Sequence, residues 1–444
     1  MKRLYQDIRA FIGKVSPVKI VVLGYLFYVI AGYIFLSLPI CKRDIVSSID
    51  TLFVATSAMS TTGLVPITVS EKYNFLGQFI IMTLIQLGGI GYMTVGSFVI
   101  LSAKRTITTR AREISQSVYS LPENFNIESF IVHVISFTFV IELIGAIALY
   151  FPFKAAGVEN SLWQAIFHSV SAFCTAGFSL FPDGLMGFRN DFWVNVIISV
   201  LSILGAIGFI VFVDVWKTMR GYQSKITLTS KIILATTGWM LVIGTILVFL
   251  TEEYEQAHDA YQRILYSFFQ VTAAMSTAGF NTIDITVLTK STLMLLIIYM
   301  IIGASPSGTG GGMKTTTFSV MIGCIKSGLR GRKEITFWNA VIPDYRVKTA
   351  IASLCFYFAT YFVGTYLLAL TEDKDLLTIA FESASALGTV GLSMNFTSSL
   401  SEMGKILITI LMFLGRVGPL SFGIALFASK PILELDSKNH NLAV

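Results

Sequence analysis

One phrase recurs four times along this chain. Residues 53–64 read F-V-A-T-S-A-M-S-T-T-G-L, and residues 167–178 read F-H-S-V-S-A-F-C-T-A-G-F. Residues 269–280 read F-Q-V-T-A-A-M-S-T-A-G-F, and residues 381–392 read F-E-S-A-S-A-L-G-T-V-G-L. Each copy has Phe ten residues before a Gly, Ala five before it, Thr two before it, and Phe or Leu after it. The glycines at 63, 177, 279 and 391 are spaced by 114, 102 and 112 residues. Periodicity of this kind makes the chain four copies of one supersecondary unit, so the repeat constrains the fold before any local propensity does.

Composition states the medium. Of 444 residues 54% are hydrophobic and 13% charged, with a mean hydropathy of +0.73; soluble domains carry about 25% charged residues. Many stretches exceed the ~18 apolar residues that flag a membrane span. The net charge of +6 therefore belongs to membrane topology, and no nucleic-acid partner is expected. Cys41, Cys174, Cys324 and Cys355 show no paired spacing, and His133, His168, His258 and His440 are scattered. Neither a disulfide framework nor a metal site is suggested. The basic, amphipathic first 19 residues lead into an apolar run long enough to span, so no cleavable leader is expected.

Each repeat reads as an apolar helix, a half-length helix carrying the phrase, and a second apolar helix. The outer pairs are 20–40 with 76–101, 130–151 with 192–216, 232–250 with a broken segment 292–324, and 350–370 with 406–427. The repeats divide the chain at 1–103 (with an N-terminal cytosolic arm), 104–220, 221–334 and 335–444 (with a short cytosolic tail). About a dozen residues precede each glycine, too few to cross a core ~30 Å thick at 1.5 Å per residue. They are expected to be re-entrant, which membranes tolerate only where backbone is buried in protein or lines a wet cavity. The expected fold is an all-α polytopic membrane protein: four parallel helix–pore-helix–helix repeats around a pseudo-fourfold axis, with eight full spans and four re-entrant pore helices.

Charge orients it. The joints between repeats carry Lys104, Arg105, Arg110 and Arg112; Lys217, Arg220, Lys225 and Lys231; and Lys326, Arg330, Arg332, Lys333, Arg346 and Lys348. Lys2, Arg3, Arg9, Lys14 and Lys19 lie in the N-terminal arm, while Glu252, Glu253, Glu255, Asp259, Glu372, Asp373 and Asp375 crowd the opposite loops. The positive-inside rule puts the joints and both termini in the cytoplasm of a multi-pass protein of the cytoplasmic membrane. The acidic loops would concentrate cations at the outer mouth.

An extended backbone after a short helix can aim carbonyl oxygens at an axis and replace a cation's hydration shell. The expected ion filter is Thr61, Thr62 and Gly63 with Thr175, Ala176 and Gly177, Thr277, Ala278 and Gly279, and Thr389, Val390 and Gly391. Glycine supplies backbone angles denied to residues with a Cβ, and the negative ends of the half-helices favour a cation. Carbonyl rings suit potassium, and no Asp or Glu adjoins these glycines as a divalent-selective ring would require. The competing reading is small residues packing between helices; four aligned copies favour the filter.

The fillers T-T-G-L, T-A-G-F, T-A-G-F and T-V-G-L in one chain resemble the Trk/Ktr/HKT superfamily of potassium transporters, and the length and short N-terminal arm are most similar to its KtrB-type membrane subunits. The resemblance covers roughly residues 20–427. It implies a fourfold pseudosymmetric monomer assembled as a homodimer, potassium uptake with sodium as a possible co-ion, and control by a separate cytosolic ring of nucleotide-binding subunits. One Gly is shared by all four phrases where potassium channels have Gly-Tyr-Gly, which leaves open a less selective sodium/potassium channel or symporter of the same architecture. No bound cofactor and no metal beyond the transported ion are expected.

The second outer helix of repeat three breaks over residues 303–312, G-A-S-P-S-G-T-G-G-G, a composition that cannot stay helical. The corresponding spans, with L-G-G-I-G-Y at 87–92, L-G-A-I-G-F at 204–209 and L-G-R-V-G-P at 414–419, read as uninterrupted. Aligned on Gly88, Gly205, Gly303 and Gly415, the break falls at the inner side of the filter, where irregular backbone should border water. A mobile gate is expected there, formed by Gly303, Ser305, Pro306, Gly308, Gly310, Gly311, Gly312 and Lys314; the resemblance implies an intramembrane loop at the same place. A static kink is the bland alternative. The near match of 308–315 to a phosphate loop fails because Met313 occupies a required Gly and no strand precedes it. Arg416, deep in the last span, is expected to face the pathway as a barrier bonded to the gate's carbonyls, and the family carries a basic residue there. Lys314 could instead snorkel to the cytosol. Glu142 and Asp214 read as helix-packing hydrogen-bonders, and His168 and Glu382 as supports of the filter.

No nucleophile–base pair or ligand cluster suggests an enzyme. A rocking carrier would favour inverted repeats, whereas an even number of crossings makes these parallel. A purely structural subunit sits poorly with the broken helix and Arg416. No nucleotide-binding segment is read in the chain, so such control is expected from another polypeptide.

Overall fold

The structure, a computed structural model, describes residues 17–91, 127–255, 257–418 and 421–424. The N-terminal arm with Lys2, Arg3, Arg9 and Lys14, the first joint with Lys104, Arg105, Arg110 and Arg112, the boundary at 103, and the tail from 430 lie outside the described residues.

The first repeat contains α1 (Pro17–Ser37), the short α2 (Ser48–Ser60) and α3 (Phe75–Ile90). The second contains α4 (Ile127–Ala155), the short α5 (Ser161–Phe173), α6 (Phe192–Ile207) and α7 (Phe209–Met219). The third contains α8 (Leu228–Thr251), α9 (Ala260–Met275), α10 (Lys290–Ile302) and α11 (Thr315–Leu329). A two-residue-stranded hairpin, β1 (Thr336–Phe337) and β2 (Ala340–Val341), leads into the fourth: α12 (Asp344–Thr371), α13 (Leu376–Gly388) and α14 (Glu402–Val417).

The polarity of the packing is inverted relative to a soluble domain. Thr56, Ser57, Ser171, Gln270, Ser383 and the four phrase threonines are buried, while α1, α4, α8 and α12 expose Phe27, Leu143, Trp239 and Phe362. Apolar surface turned outward loses nothing in lipid, whereas polar groups must find partners inside. Among the described residues, α4, α8, α12 and 19 residues of α1 are long and apolar enough to cross a membrane.

The second outer helices depart from expectation. The stretch 192–216 is not one span: α6 and α7 meet at Gly208 with a 90° bend. Of the other two expected full spans, 76–101 and 406–427, the described parts form the 16-residue α3 and α14, which end at Gly91 (φ 87°) and Gly418 (φ 87°); residues 92–101, 419–420 and 425–427 lie outside the described residues. Among the described residues four helices, or five if the bent α6–α7 pair is one span, are long and apolar enough to cross, and the expected eight full spans extend into residues outside them. The cause of the bend and of the two ends is a glycine three residues after Gly88, Gly205 and Gly415, which takes a positive φ that ends the helix. Counting from the N-cap sharpens the comparison: 17 residues separate Asn74 from Gly91, Asp191 from Gly208 and Ser401 from Gly418, but only 14 separate Thr289 from Gly303. The third helix stops about one turn early, which frees room for the loop that follows.

Candidate ion pathway

Three of the four short helices, α2, α9 and α13, begin at acceptors that meet their free amides. Ser47, Asp259 and Asp375 accept from Asp50 N, Gln262 N and Leu377 N. All four end alike. In each phrase the Thr amide donates to the repeated Ala carbonyl, Thr61 to Ala58 and Thr175 to Ala172 at 3.1 Å, Thr277 to Ala274 at 3.3 Å, Thr389 to Ala386 at 3.1 Å. The next amide reaches back to Ser57, Ser171, Ala273 or Ser385 at 2.7–3.0 Å. This is a Schellman-type ending, with threonine in the left-handed position that glycine normally takes. Thr61, Thr175, Thr277 and Thr389 have φ of 54°, 51°, 57° and 51°. Four β-branched residues there store on the order of 1–2 kcal/mol each, and such strain collects where function fixes the backbone.

From these turns the chain extends, and the four segments meet. A Cβ added to Gly63 would strike Ala176 O, one on Gly177 would strike Ala278 O, one on Gly279 would strike Val390 O, and one on Gly391 would strike Thr62 O. The order of contact runs from first repeat to second, third, fourth and back to first. Eight of the twelve residues expected in the filter, Thr62, Gly63, Ala176, Gly177, Ala278, Gly279, Val390 and Gly391, thus meet in one closed ring of contacts, each segment following directly on its phrase threonine. Only glycine fits its four positions, because every one faces a neighbouring carbonyl at positive φ.

The glycine-rich loop lies against this ring and touches the threonine of every repeat. Thr61 Oγ1 donates to Thr309 O (3.3 Å), Thr175 Oγ1 and Thr309 Oγ1 are 3.2 Å apart, and Gly311 N donates to Thr389 Oγ1 (3.0 Å). A Cβ on Gly310 would strike Thr277 Oγ1. The loop is closed on itself by Ala304 N to Gly311 O (3.1 Å) and Met313 N to Ile301 O (3.0 Å). It is docked on the second repeat by Ser305 N to Ala206 O (2.9 Å), Thr309 N to Gly205 O (3.1 Å) and Thr309 Oγ1 to Phe173 O (3.0 Å). The bend at Gly208 accepts the loop's far edge: Phe209 N donates to Ser307 O (3.2 Å), and Pro306 O fills the space a Gly208 side chain would need. Gly303 packs on Gly311 and Gly312, and Gly308 on Ala206 O.

Two cations hold the loop. Arg416 donates to Thr61 Oγ1 (2.9 Å), to Gly89 O (3.3 Å), and to the carbonyls of Thr309 and Gly88. Lys314 Nζ turns toward Gly310 O (2.9 Å) instead of snorkelling away. Every residue expected in the gate therefore lies in one cluster beside the ring of glycine contacts. Sequence reasoning missed Thr309, which contacts two repeats and Arg416, and Gly208, whose bend receives the loop. The hydroxyl of Thr309 is one of several in its stretch, and nothing in sequence ranks it above Ser305 or Ser307.

The remaining polar residues serve packing. Glu142 accepts from Gln86 Nε2 (3.0 Å), and Asp214 accepts from Thr227 N and Oγ1 (2.8 Å each), tying α7 to α8. Two acidic residues of the outer loops do more than colour the field. Glu252 accepts from Thr289 N (2.8 Å), and Glu372 from Ser401 N (3.2 Å), so they anchor the N-caps of α10 and α14, each beyond the short helix of its repeat.

The family profile described as "TrkH: Cation transport protein" matches residues 37–435. The chain is 32% identical over 420 residues to Ktr system potassium uptake protein B of Vibrio alginolyticus, covering 94% of this chain and 92% of that protein. It is 34% identical over 413 residues to the protein of the same name from Bacillus subtilis, with 92% of each covered. It is 33% identical over 416 residues to the potassium/sodium uptake protein NtpJ of Enterococcus hirae, with 91% of each covered. The fold is similar to the crystal structure of the potassium transporter TrkH from Vibrio parahaemolyticus, with a TM-score of 0.73 and 21% identity over 94% of this chain and 86% of that one. This chain belongs to the TrkH family of cation transport proteins.

Proposed function

We propose that the chain is the membrane subunit of a potassium uptake system, in which four pore-helix repeats around a pseudo-fourfold axis hold a backbone-carbonyl filter and the 303–312 loop gates it. The observation that carries this reading is the closed contact ring of Gly63, Gly177, Gly279 and Gly391 with one loop against all four phrase threonines. A ring of peptide oxygens replaces water around an alkali ion without fixed negative charge. The loop then stands across the path as an obstacle, and the Arg416 guanidinium bonded to it adds an electrostatic barrier. Ion entry requires these contacts to part.

Support for potassium comes from the relatives' names and from the absence of Asp or Glu beside the four glycines. The less selective sodium/potassium reading draws support from the relative named as a potassium/sodium uptake protein. Long helices α8 and α12 run from basic ends (Lys225, Lys231; Arg346, Lys348) to acidic ones (Glu252, Glu253; Glu372, Asp373), which supports cytoplasmic joints. Sodium as co-ion, assembly as a homodimer and control by a cytosolic nucleotide-binding ring complete the proposal and rest on the family. The test is growth of a potassium-uptake-deficient host on limiting potassium, followed by flux with potassium and sodium varied independently. Rescue with potassium-saturable flux is expected. Failure to rescue by well-expressed protein, supplied with its cytosolic partner, would sink the reading.

A further inference from the structure

The second position of the repeated phrase is occupied by Val54, His168, Gln270 and Glu382. In three repeats this buried side chain reaches across to a hydroxyl on the limb that leaves the glycine. His168 Nε2 and Ser179 Oγ are 2.9 Å apart; Gln270 Nε2 donates to Thr282 Oγ1 (3.3 Å); Ser393 Oγ donates to Glu382 Oε2 (2.8 Å), and Thr397 Oγ1 donates to Glu382 Oε1. The carbonyl of Gln164 only accepts, so the His168 Nδ1 2.8 Å from it carries the hydrogen. A neutral ring then accepts the Ser179 hydroxyl at Nε2. The same hydroxyls order the turn beyond: Ser179 Oγ accepts from Phe181 N (3.0 Å), and Ser393 Oγ from Phe396 N (3.1 Å). Val54, equally buried, has no such group.

A second brace sits three positions further along. Ser57 Oγ accepts from Gly63 N (3.0 Å), Ser385 Oγ accepts from Gly391 N (3.0 Å), and Ser171 Oγ donates to Phe178 O (2.8 Å). Repeat three has Ala273 there. Repeats two and four, opposite each other in the ring, therefore carry both braces, and repeats one and three carry one each. Fixing a filter's carbonyls at one spacing requires side chains that hold the backbone from behind, since the backbone groups at the axis must stay free for the ion.

We propose that His168, Gln270 and Glu382 are specificity-determining positioning residues, each pinning the outer limb of its own glycine segment, so that repeats two and four form the stiff walls of the filter. This rests on the reading of the four segments as an ion filter. The test replaces the native chromosomal copy by each variant and measures potassium and sodium uptake with each ion varied independently. His168→Leu and Glu382→Leu should each lower potassium-over-sodium preference about tenfold, equivalent to about 1.4 kcal/mol, with the maximal rate changed less than about twofold. His168→Gln and Glu382→Gln, which retain an acceptor, should rescue the preference, and Val54→Ala should leave it unchanged. Where a leucine variant does not reach the membrane, Ser179→Ala, and Ser393→Ala together with Thr397→Val, cut the same bonds from the loop side and should shift preference in the same direction. Membrane-inserted variants with undiminished preference overturn the proposal. Gly279→Ser separates the two failures: if it changes preference while the brace variants do not, the brace alone is wrong, and if it too changes nothing, the filter reading falls.

Discussion

The filter ring and the layer against it are built on opposite plans. The ring uses the same phrase four times, the same Schellman-type ending and the same carbonyl-to-glycine contact. The layer against it is made by one loop, from one repeat, that bonds differently to Thr61, Thr175 and Thr389 and only packs Gly310 against Thr277. Surrounding a spherical ion evenly is a problem that repetition solves. Opening and closing is not, because four identical obstacles would have to move together. A single loop freed by a helix that stops one turn early can switch alone. On the proposed function, binding resides in symmetry, and control in its violation.

The largest effect should come from breaking the symmetrical layer. In Gly279→Ala the new methyl meets Val390 O at a φ of 69°. The left-handed backbone alone costs about 1–2 kcal/mol for an L-residue, which is about tenfold in affinity, and the collision adds to it. Potassium uptake should fall more than about tenfold. Uptake at the unaltered level would show that this ring is not where the ion passes.

Next in size is Arg416→Ala, which strikes the asymmetric layer. It removes a positive charge and its bonds to Thr309 and Gly88 carbonyls, and a hydrogen bond to a charged group contributes about 1.5–3 kcal/mol. Cation flux should rise about tenfold when the system is not activated, while ion preference stays with the ring. Arg416→Lys should restore little, because an ammonium cannot span both carbonyls as a planar fork does. Deleting residues 310–312 should remove dependence on any regulator; unaltered uptake and unaltered regulation would make the loop a static kink.

These two layers were unequally legible in the sequence. The ring was readable because its requirement is stated four times at fixed spacing, and coincidence does not repeat. The loop was readable because five glycines and a proline leave no helix to argue for. The 90° bend at Gly208 was not readable: one glycine in an apolar run costs a helix only about 1 kcal/mol, and packing decides whether it bends. Gly208 bends because Pro306 and Ser307 occupy its open side, a contact between residues about a hundred apart. Thr309 escaped for the same reason. Its importance is a matter of which five groups surround it: Thr61, Phe173, Thr175, Gly205 and Arg416.

Gly208→Ala tests that coupling with a smaller expected effect. Its methyl would meet Pro306 O at a φ of 96°, pushing the loop's docked edge off α7. Since the Thr309 bonds to Gly205 and Phe173 remain, the closed arrangement should weaken by about 1–2 kcal/mol, seen as a few-fold rise in unactivated flux. A fall in ion preference instead would mean that bend and ring are one mechanical unit, which would erase the division drawn between the layers.

The smallest effect is expected at the seam where the ring closes without a covalent connection. Neighbouring repeats are joined by chain and by polar contacts that include Trp163 Nε1 to Gln78 Oε1 (2.8 Å), Tyr266 to Asn190, and Asn395 Nδ2 to Asp284 Oδ1 (3.3 Å). Repeats four and one have no linking chain; besides the Arg416 bonds to Thr61, Gly88 and Gly89, an ion pair joins them, Lys405 Nζ to Asp50 Oδ1 at 2.7 Å with both side chains 15% exposed. A half-screened pair contributes at most about 1 kcal/mol, and Ser47 Oγ still serves Asp50 Oδ2 (2.7 Å) when Lys405 is removed. Lys405→Ala should therefore lower thermal stability in detergent slightly and change potassium preference by less than about twofold. If preference instead drops as far as in Gly279→Ala, the ring is held in tension by its open seam, and its evenness would depend on one ion pair more than on four repeated phrases.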